Sequence, residues 1–177
     1  MDKDTEEAFV KCEICAEFQT KNVRRTMQTH QIPDRPWSRV SSDLFTLNSK
    51  EYIVLTDGYL HFIEVGELKG TTAVYIIKFL TEQFSRYGIP DVLITDNGPQ
   101  YACREFTEFS KDWELKHVMS SPRHAKSNGK AKAAVKIAKK IVKKAYRDNE
   151  NSWLALLDQH NTPMQSVHSS LVQRLMA

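Results

Sequence analysis

Two aspartates and one long run of lysines are the residues here whose types and placing could do chemistry together. Asp43 lies within "WSRVSSDLF", and Asp96 follows "DVLIT" just ahead of Asn97 and Gly98. Taken singly, each suits a turn or a helix cap better than a metal site. The lysines are harder to set aside. From Leu115 to Arg147 there are eleven Lys and Arg and no Asp or Glu, which leaves 14 basic against 22 acidic residues elsewhere. A net charge of +3 thus hides a strong asymmetry, which favours a polyanionic partner over general solubility. Cys12 and Cys15 add a C-x₂-C pair.

The elements that must carry these residues can be read from periodicity. Trp37–Phe45, Tyr52–Gly58 and His61–Leu68 have the β-branched and aromatic content of strands, and Asp57–Gly58 suits a tight hairpin between the second and third. Three strands so spaced predict an antiparallel meander. "TTAVYIIKFLTEQFSRYG" predicts a helix of about four turns, with Val74, Ile77, Leu80 and Phe84 inward and Gly88 as its stop. Val92–Thr95 reads as a short buried strand, "CREFTEFSKDW" as a helix and "LKHVMSS" as a fifth strand. A loop over 121–128 then leads into the basic helix. A last helix, "SWLALLDQHN", starts at a Ser152 cap. The predicted order is β-β-β-α-β-α-β-α-α, a five-stranded mixed sheet flanked by helices.

In the basic helix Ala134, Val135, Ala138, Ile141, Val142 and Ala145 fall on one side, which should pack on the sheet. Lys132, Lys136, Lys139 and Lys143 recur at i, i+4, i+7 and i+11, forming a ridge on roughly the opposite side. Stacked ammonium groups repel by about a few tenths of a kcal/mol per adjacent pair, so an anion should lie over them. Phosphates suit that role, because each one neutralised releases condensed counterions. An acidic protein partner is the alternative.

"RPWSRVSSDLF", "GIPDVLITDNGPQYACREFTEF", "HVMSSPRHAKSNGKAKAAV" and "NTPMQSVHSSLVQRLM" resemble, block after block, the integrase core of Ty3/Gypsy-type retrotransposons, from about Cys12 to the C-terminus. The resemblance implies an α/β ribonuclease H-like integrase core over 31–177, preceded by a remnant of a zinc-binding module and linker over 1–30. It also implies a triad of two aspartates and a glutamate holding two Mg²⁺ or Mn²⁺ ions for in-line attack on a phosphodiester. Asp43 matches the first aspartate and Asp96 the second. The glutamate is expected after 35 intervening residues, and that position is Lys132.

An ammonium in place of a carboxylate is a severe change. Two unit charges 4 Å apart at an effective dielectric near 20 interact by about 4 kcal/mol, and a divalent ion doubles the repulsion. No Asp or Glu lies between Glu114 and Asp148 to stand in. Lys132 could instead turn to Asp43 and Asp96 and neutralise them. Lys136 and Lys139 match positions that contact DNA in the family, while Arg123, Ala125 and Lys126 depart from its usual residues. Cys12 and Cys15 match half of an HHCC zinc module, yet no histidine precedes them and His30 lies on the wrong side, so zinc is not expected. Cys103 reads as a small apolar residue. The chain ends with the core, so the family's C-terminal DNA-binding module is not expected in it.

The sequence therefore predicts a domesticated pseudoenzyme that binds nucleic acid, DNA ahead of RNA, through Lys126, Lys130, Lys132, Lys136, Lys139 and Lys143. Mg²⁺ or Mn²⁺ is expected only if activity persists. A homodimer fits the fold, and no apolar run is long enough for a membrane span. A nuclear site is expected, otherwise a cytoplasmic one, since "MDKDTEEAF" is no signal peptide and three cysteines suggest a reducing compartment. The rivals are an active integrase using Asp43 and Asp96, with Glu105 as a possible third carboxylate, and a non-catalytic dimerisation scaffold.

Overall fold

The structure, a computed structural model, describes residues 33–120, 129–163 and 168–176. Three strands follow one another: β1 (Arg39–Leu47), β2 (Lys50–Asp57) and β3 (Ile63–Leu68). Then come α1 (Ala73–Tyr87), β4 (Val92–Thr95), α2 (Arg104–Asp112) and β5 (Lys116–Met119). α3 (Gly129–Arg147), α4 (Ser152–Asn161) and a short α5 (Leu171–Met176) complete the order. The strands form one sheet in the order β3-β2-β1-β4-β5. β1–β2 and β2–β3 pair antiparallel, the predicted meander, while β1–β4 and β4–β5 pair parallel.

Strand alternation sorts the core into two layers. On one face Val40, Ile53, Leu55 and Leu93 meet Ile76, Leu80 and Phe84 of α1 and Phe106 and Phe109 of α2. On the other, Phe45, Tyr52, Val54 and Val65 meet Ala134, Ala138 and Val142 of α3 and Leu156 of α4. Helices thus cover both faces of a mixed sheet. α3 lies over β1 and β2 on a nearly all-alanine seam, Ala131, Ala134, Ala138 and Ala145 with Val142, all buried. Small side chains let the helix axis approach the pleat, and alanine is also the best helix former.

Three expectations need correction. The tight hairpin is not at Asp57–Gly58; Asn48 and Ser49 take it, with φ of 51° and 60°, the left-handed pair that suits strand twist. The β2–β3 connection is a wider loop closed by the Asp57 amide on the Phe62 carbonyl at 2.8 Å. Val74 of α1 is 67% exposed, and Ile76 takes the inward place because the buried face runs Ala73, Ile76, Leu80, Gln83 and Phe84. α4 is capped by Asn151, whose side chain accepts the Trp153 amide at 2.9 Å, and not by Ser152. α1 does end at Gly88, with φ 88°, as predicted.

Asp57 ties the loop together from inside. Its carboxylate is fully buried and accepts the backbone N–H groups of Trp37 (2.9 Å), Tyr59 (3.1 Å) and Leu60. The Trp37 indole in turn donates to the Gly88 carbonyl at 2.7 Å, joining the entry of β1 to the end of α1. Removing the carboxylate strands two buried donors and a third that is partly buried. Asp57→Ala should therefore cost roughly 2–4 kcal/mol of unfolding free energy in urea denaturation, and Asp57→Asn clearly less.

Candidate functional site

Parallel pairing aligns Arg39 with Val92, Val40 with Leu93 and Ser41 with Ile94. The same offset carried two residues on sets Asp43 beside Asp96. Alternation fixes their side: Phe45 and Leu47, of like parity to Asp43, belong to the layer under α3, as does the side of β4 opposite Leu93. Both aspartates therefore lie on the sheet face that α3 crosses. Each is half-buried and each holds a local amide: Asp43 Oδ1 accepts from Leu44 N at 2.9 Å, and Asp96 Oδ1 from Gly98 N at 3.1 Å.

The charges around Asp43 come from the helix above. Burial raises its pKa most, the Leu44 amide opposes this, and Asp96 adds to the rise. Lys132 and Lys139 both pull it back down, so both ammonium groups lie within electrostatic reach of the carboxylate. Lys139 is also seated over Phe45, its Nζ 5.6 Å from the ring centroid.

A buried bracket supports the pair from the opposite face. Ser42 Oγ and Tyr101 Oη are 3.0 Å apart, and burial with the nearby carboxylates pushes the Tyr101 phenol far up. Thr95 Oγ1 donates to the Asp96 carbonyl at 2.8 Å and stands 2.8 Å from His117 Nε2. With the hydroxyl proton so used, the imidazole must donate, and burial lowers its pKa. None of these supports is legible without the fold.

The predicted lysines do not all share one place. Lys132, Lys136 and Lys143 are exposed along α3, and Lys139 is half-covered by its stacking on Phe45. Lys130, predicted as a nucleic-acid contact, is turned inward instead: its Nζ donates to the Gly58 carbonyl, and desolvation lowers its pKa while Asp57 partly restores it. It pins the first turn of α3 to the β2–β3 loop. Glu105 is exposed at the start of α2, and its neighbours are Cys103 and Arg104, not the aspartates. Lys126, Cys12, Cys15 and His30 lie outside the described residues.

Two carboxylates faced by two ammonium groups do not fit a two-metal centre. Among the described residues no group of three His, Cys, Asp or Glu could hold a metal ion. No described helix is long and apolar enough to cross a membrane.

A five-stranded mixed sheet with a leading antiparallel meander, helices on both faces and paired aspartates on its two central parallel strands defines a ribonuclease H-like core. Residues 33–125 match the integrase core domain, and the chain belongs to that family. It is 27% identical over 175 residues to an uncharacterized protein of Caenorhabditis elegans, covering 96% of this chain and 14% of that protein. It is 29% identical over 171 residues to the Gag-Pol polyprotein of Koala retrovirus, covering 88% of this chain and 10% of that one. It therefore spans a small part of the length of these relatives. Its fold also matches a chain of the simian T-cell lymphotropic virus intasome solved in complex with PP2A regulatory subunit B56 gamma. There the TM-score is 0.77 at 21% identity, over 98% of this chain and 66% of that one.

Because burial raises the Asp43 pKa, the fold prefers its protonated form. Stability from this group is complete below the ordinary value of 3.8 and is lost as pH rises through the folded value. Asp43→Asn should therefore raise the melting temperature at pH 7. The gain should shrink on acidification and vanish below about pH 3.8, as followed by thermal melts across pH.

Proposed function

We propose that this chain is an integrase core of retroelement origin that holds nucleic acid through α3 and does not transfer strands. The observation that carries it is the pair of ammonium groups, Lys132 and Lys139, bearing on Asp43 from the helix that crosses the aspartates. Lys132 stands where the family resemblance expects the third carboxylate. A positive charge there repels the divalent ions that integrase cores use, and two carboxylates remain as donors. The same substitution enlarges an acid-free cationic surface that continues through Lys136 and Lys143. Phosphates can bind it with no metal between, in contacts that position a duplex without reading its bases. DNA is the favoured polymer, with the nucleus as the place of action.

Duplex affinity measured from low to moderate salt should fall linearly on a log–log plot. Lys136→Ala with Lys143→Ala should flatten the slope by about two units, one per lost phosphate contact. A salt-independent affinity refutes the phosphate account. Strand-transfer assays in Mg²⁺ and in Mn²⁺ should give no product; product that disappears in Asp96→Asn would show a working centre instead. Lys132→Glu should gain Mn²⁺ binding by calorimetry and lose DNA affinity together, since one charge governs both.

A self-association reading also has an observation behind it. Leu154 and Leu157 of α4 are 60% and 50% exposed on adjacent turns, a surface suited to a second copy. Leu154→Glu should leave DNA binding intact and shift sedimentation to the monomer if that surface pairs.

A further inference from the structure

At the far end of α3 from Lys132, a cavity of about 190 Å³ opens between α3, α4 and the strands β2 and β3. That is below the roughly 300–1,000 Å³ of sites for drug-sized molecules, so it suits a headgroup. Its aromatic walls come from three elements: Tyr52 of β2, Tyr146 in the last turn of α3 and Trp153 in the first turn of α4. Val65 and Leu156 add an apolar lining. Tyr52 is buried and stacks on Phe45 with centroids 5.1 Å apart, so it is a rigid wall. Tyr146 and Trp153 are 53% and 46% exposed, an open position for two large rings unless something lies against them.

One charge in this cavity is negative, and it is already answered. Glu67 holds the ammonium of Lys50 at 3.0 Å, with both side chains more than two-fifths exposed. Lys50 has its pKa raised first by that hydrogen bond, then by the Glu67 charge, with Tyr146 and Tyr52 contributing further. A carboxylate thus already holds an ammonium that the chain itself supplies, at a cavity that Lys50 lines together with Tyr52 and Tyr146. The ion pair is solvent-exposed and correspondingly weak, so an external cation can displace it. A primary ammonium also uses the rings poorly, because it is strongly hydrated. A methylated one sheds water more readily and offers methyl groups to aromatic faces.

We propose that this cavity is a binding site for a quaternary ammonium group, held by Glu67 between Tyr52, Tyr146 and Trp153, with Lys50 as the internal occupant it displaces. Nothing in this depends on nucleic-acid binding, since the site uses the opposite end of α3 and an acidic residue. The cation could arrive as a free choline-like molecule or as a trimethylated lysine side chain; the chemistry is shared.

The test uses the full chain, with the Trp153 indole N–H resonance followed by NMR during titration. The probes are choline, N-acetyl-trimethyllysine amide and the uncharged choline isostere 3,3-dimethylbutanol. Both cations should bind saturably, and the isostere about tenfold more weakly. Whichever cation binds tighter identifies the source. Two variants break the same ion pair with opposite predicted results. Glu67→Gln should weaken choline about tenfold, and Lys50→Met should strengthen it severalfold by removing the competitor. An isostere as effective as choline, or a Lys50→Met variant that binds no better than wild type, overturns the proposal. Both substitutions lie at an exposed ion pair, and matching thermal melts would show that the fold is intact.

Discussion

The parallel pairing of β1 with β4 fixes the register in which two carboxylates are carried into the middle of a sheet. Neither strand could shift by one residue without exchanging its apolar and polar faces, because side chains alternate strictly along a strand. Val40 and Leu93, both fully buried, would then face α3, and Asp43 and Asp96 would enter the layer packed by α1 and α2. Hydrophobic burial on one face thus holds two like charges together on the other. Once they are so held, whatever lies above them must supply positive charge or accept their protonation.

α3 is shaped to be that lid. Its seam of alanines brings the helix close to the pleat, which puts Lys132 and Lys139 within reach of Asp43. A helix without acidic residues has no i, i+4 ion pairs to offset the repulsion among its lysines. Its stability must come from the seam, from the stacking of Lys139 on Phe45 and from the Lys130 anchor on Gly58. Lys130 and Lys139 are as much part of the packing as of the charged surface. Substituting either one alters helix placement along with electrostatics, whereas Lys136 and Lys143, both exposed, report on charge alone.

Sequence alone carried the long elements because burial imposes a period on them. The α3 seam, the end of α1 at Gly88 and the span Val92–Thr95 all follow from spacing and from glycine. Errors arose where a local signal was ambiguous until tertiary partners were known. Asp57–Gly58 looks like a hairpin turn, but Asp57 is wanted inside to hold three amides, and Asn48–Ser49 turns the chain instead. Val74 is apolar yet faces solvent, since the buried face of α1 runs through Ala73, Ile76, Leu80, Gln83 and Phe84. The six-residue α5 is too short to show a period. At the site the two aspartates and the lysine between their strands and solvent were legible by spacing and family resemblance. The supports were not: Phe45 under Lys139, Tyr101 against Ser42 and Thr95 against His117 are pairings across long stretches of chain, invisible to any local pattern.

The spacing of the lysine ridge favours a phosphate backbone over an acidic protein face. Steps of three and four residues along a helix are about 4.5–6 Å, so the ridge from Lys132 to Lys143 covers roughly 17 Å. A duplex carries one phosphate about every 3.4 Å along each strand, a denser array than the ammonium groups facing it. Every lysine can find an anion without a fixed register, and sliding by one nucleotide costs little. An acidic protein surface would have to place separate carboxylates at the lysine spacing and would hold one alignment only. The chain offers no matching fixed recognition elements on that ridge, because Lys136 and Lys143 are exposed and long, with many rotamers of similar energy. A mobile cationic comb suits a continuous anion. The same mobility argues against specificity for sequence, which requires side chains held at defined positions against base edges.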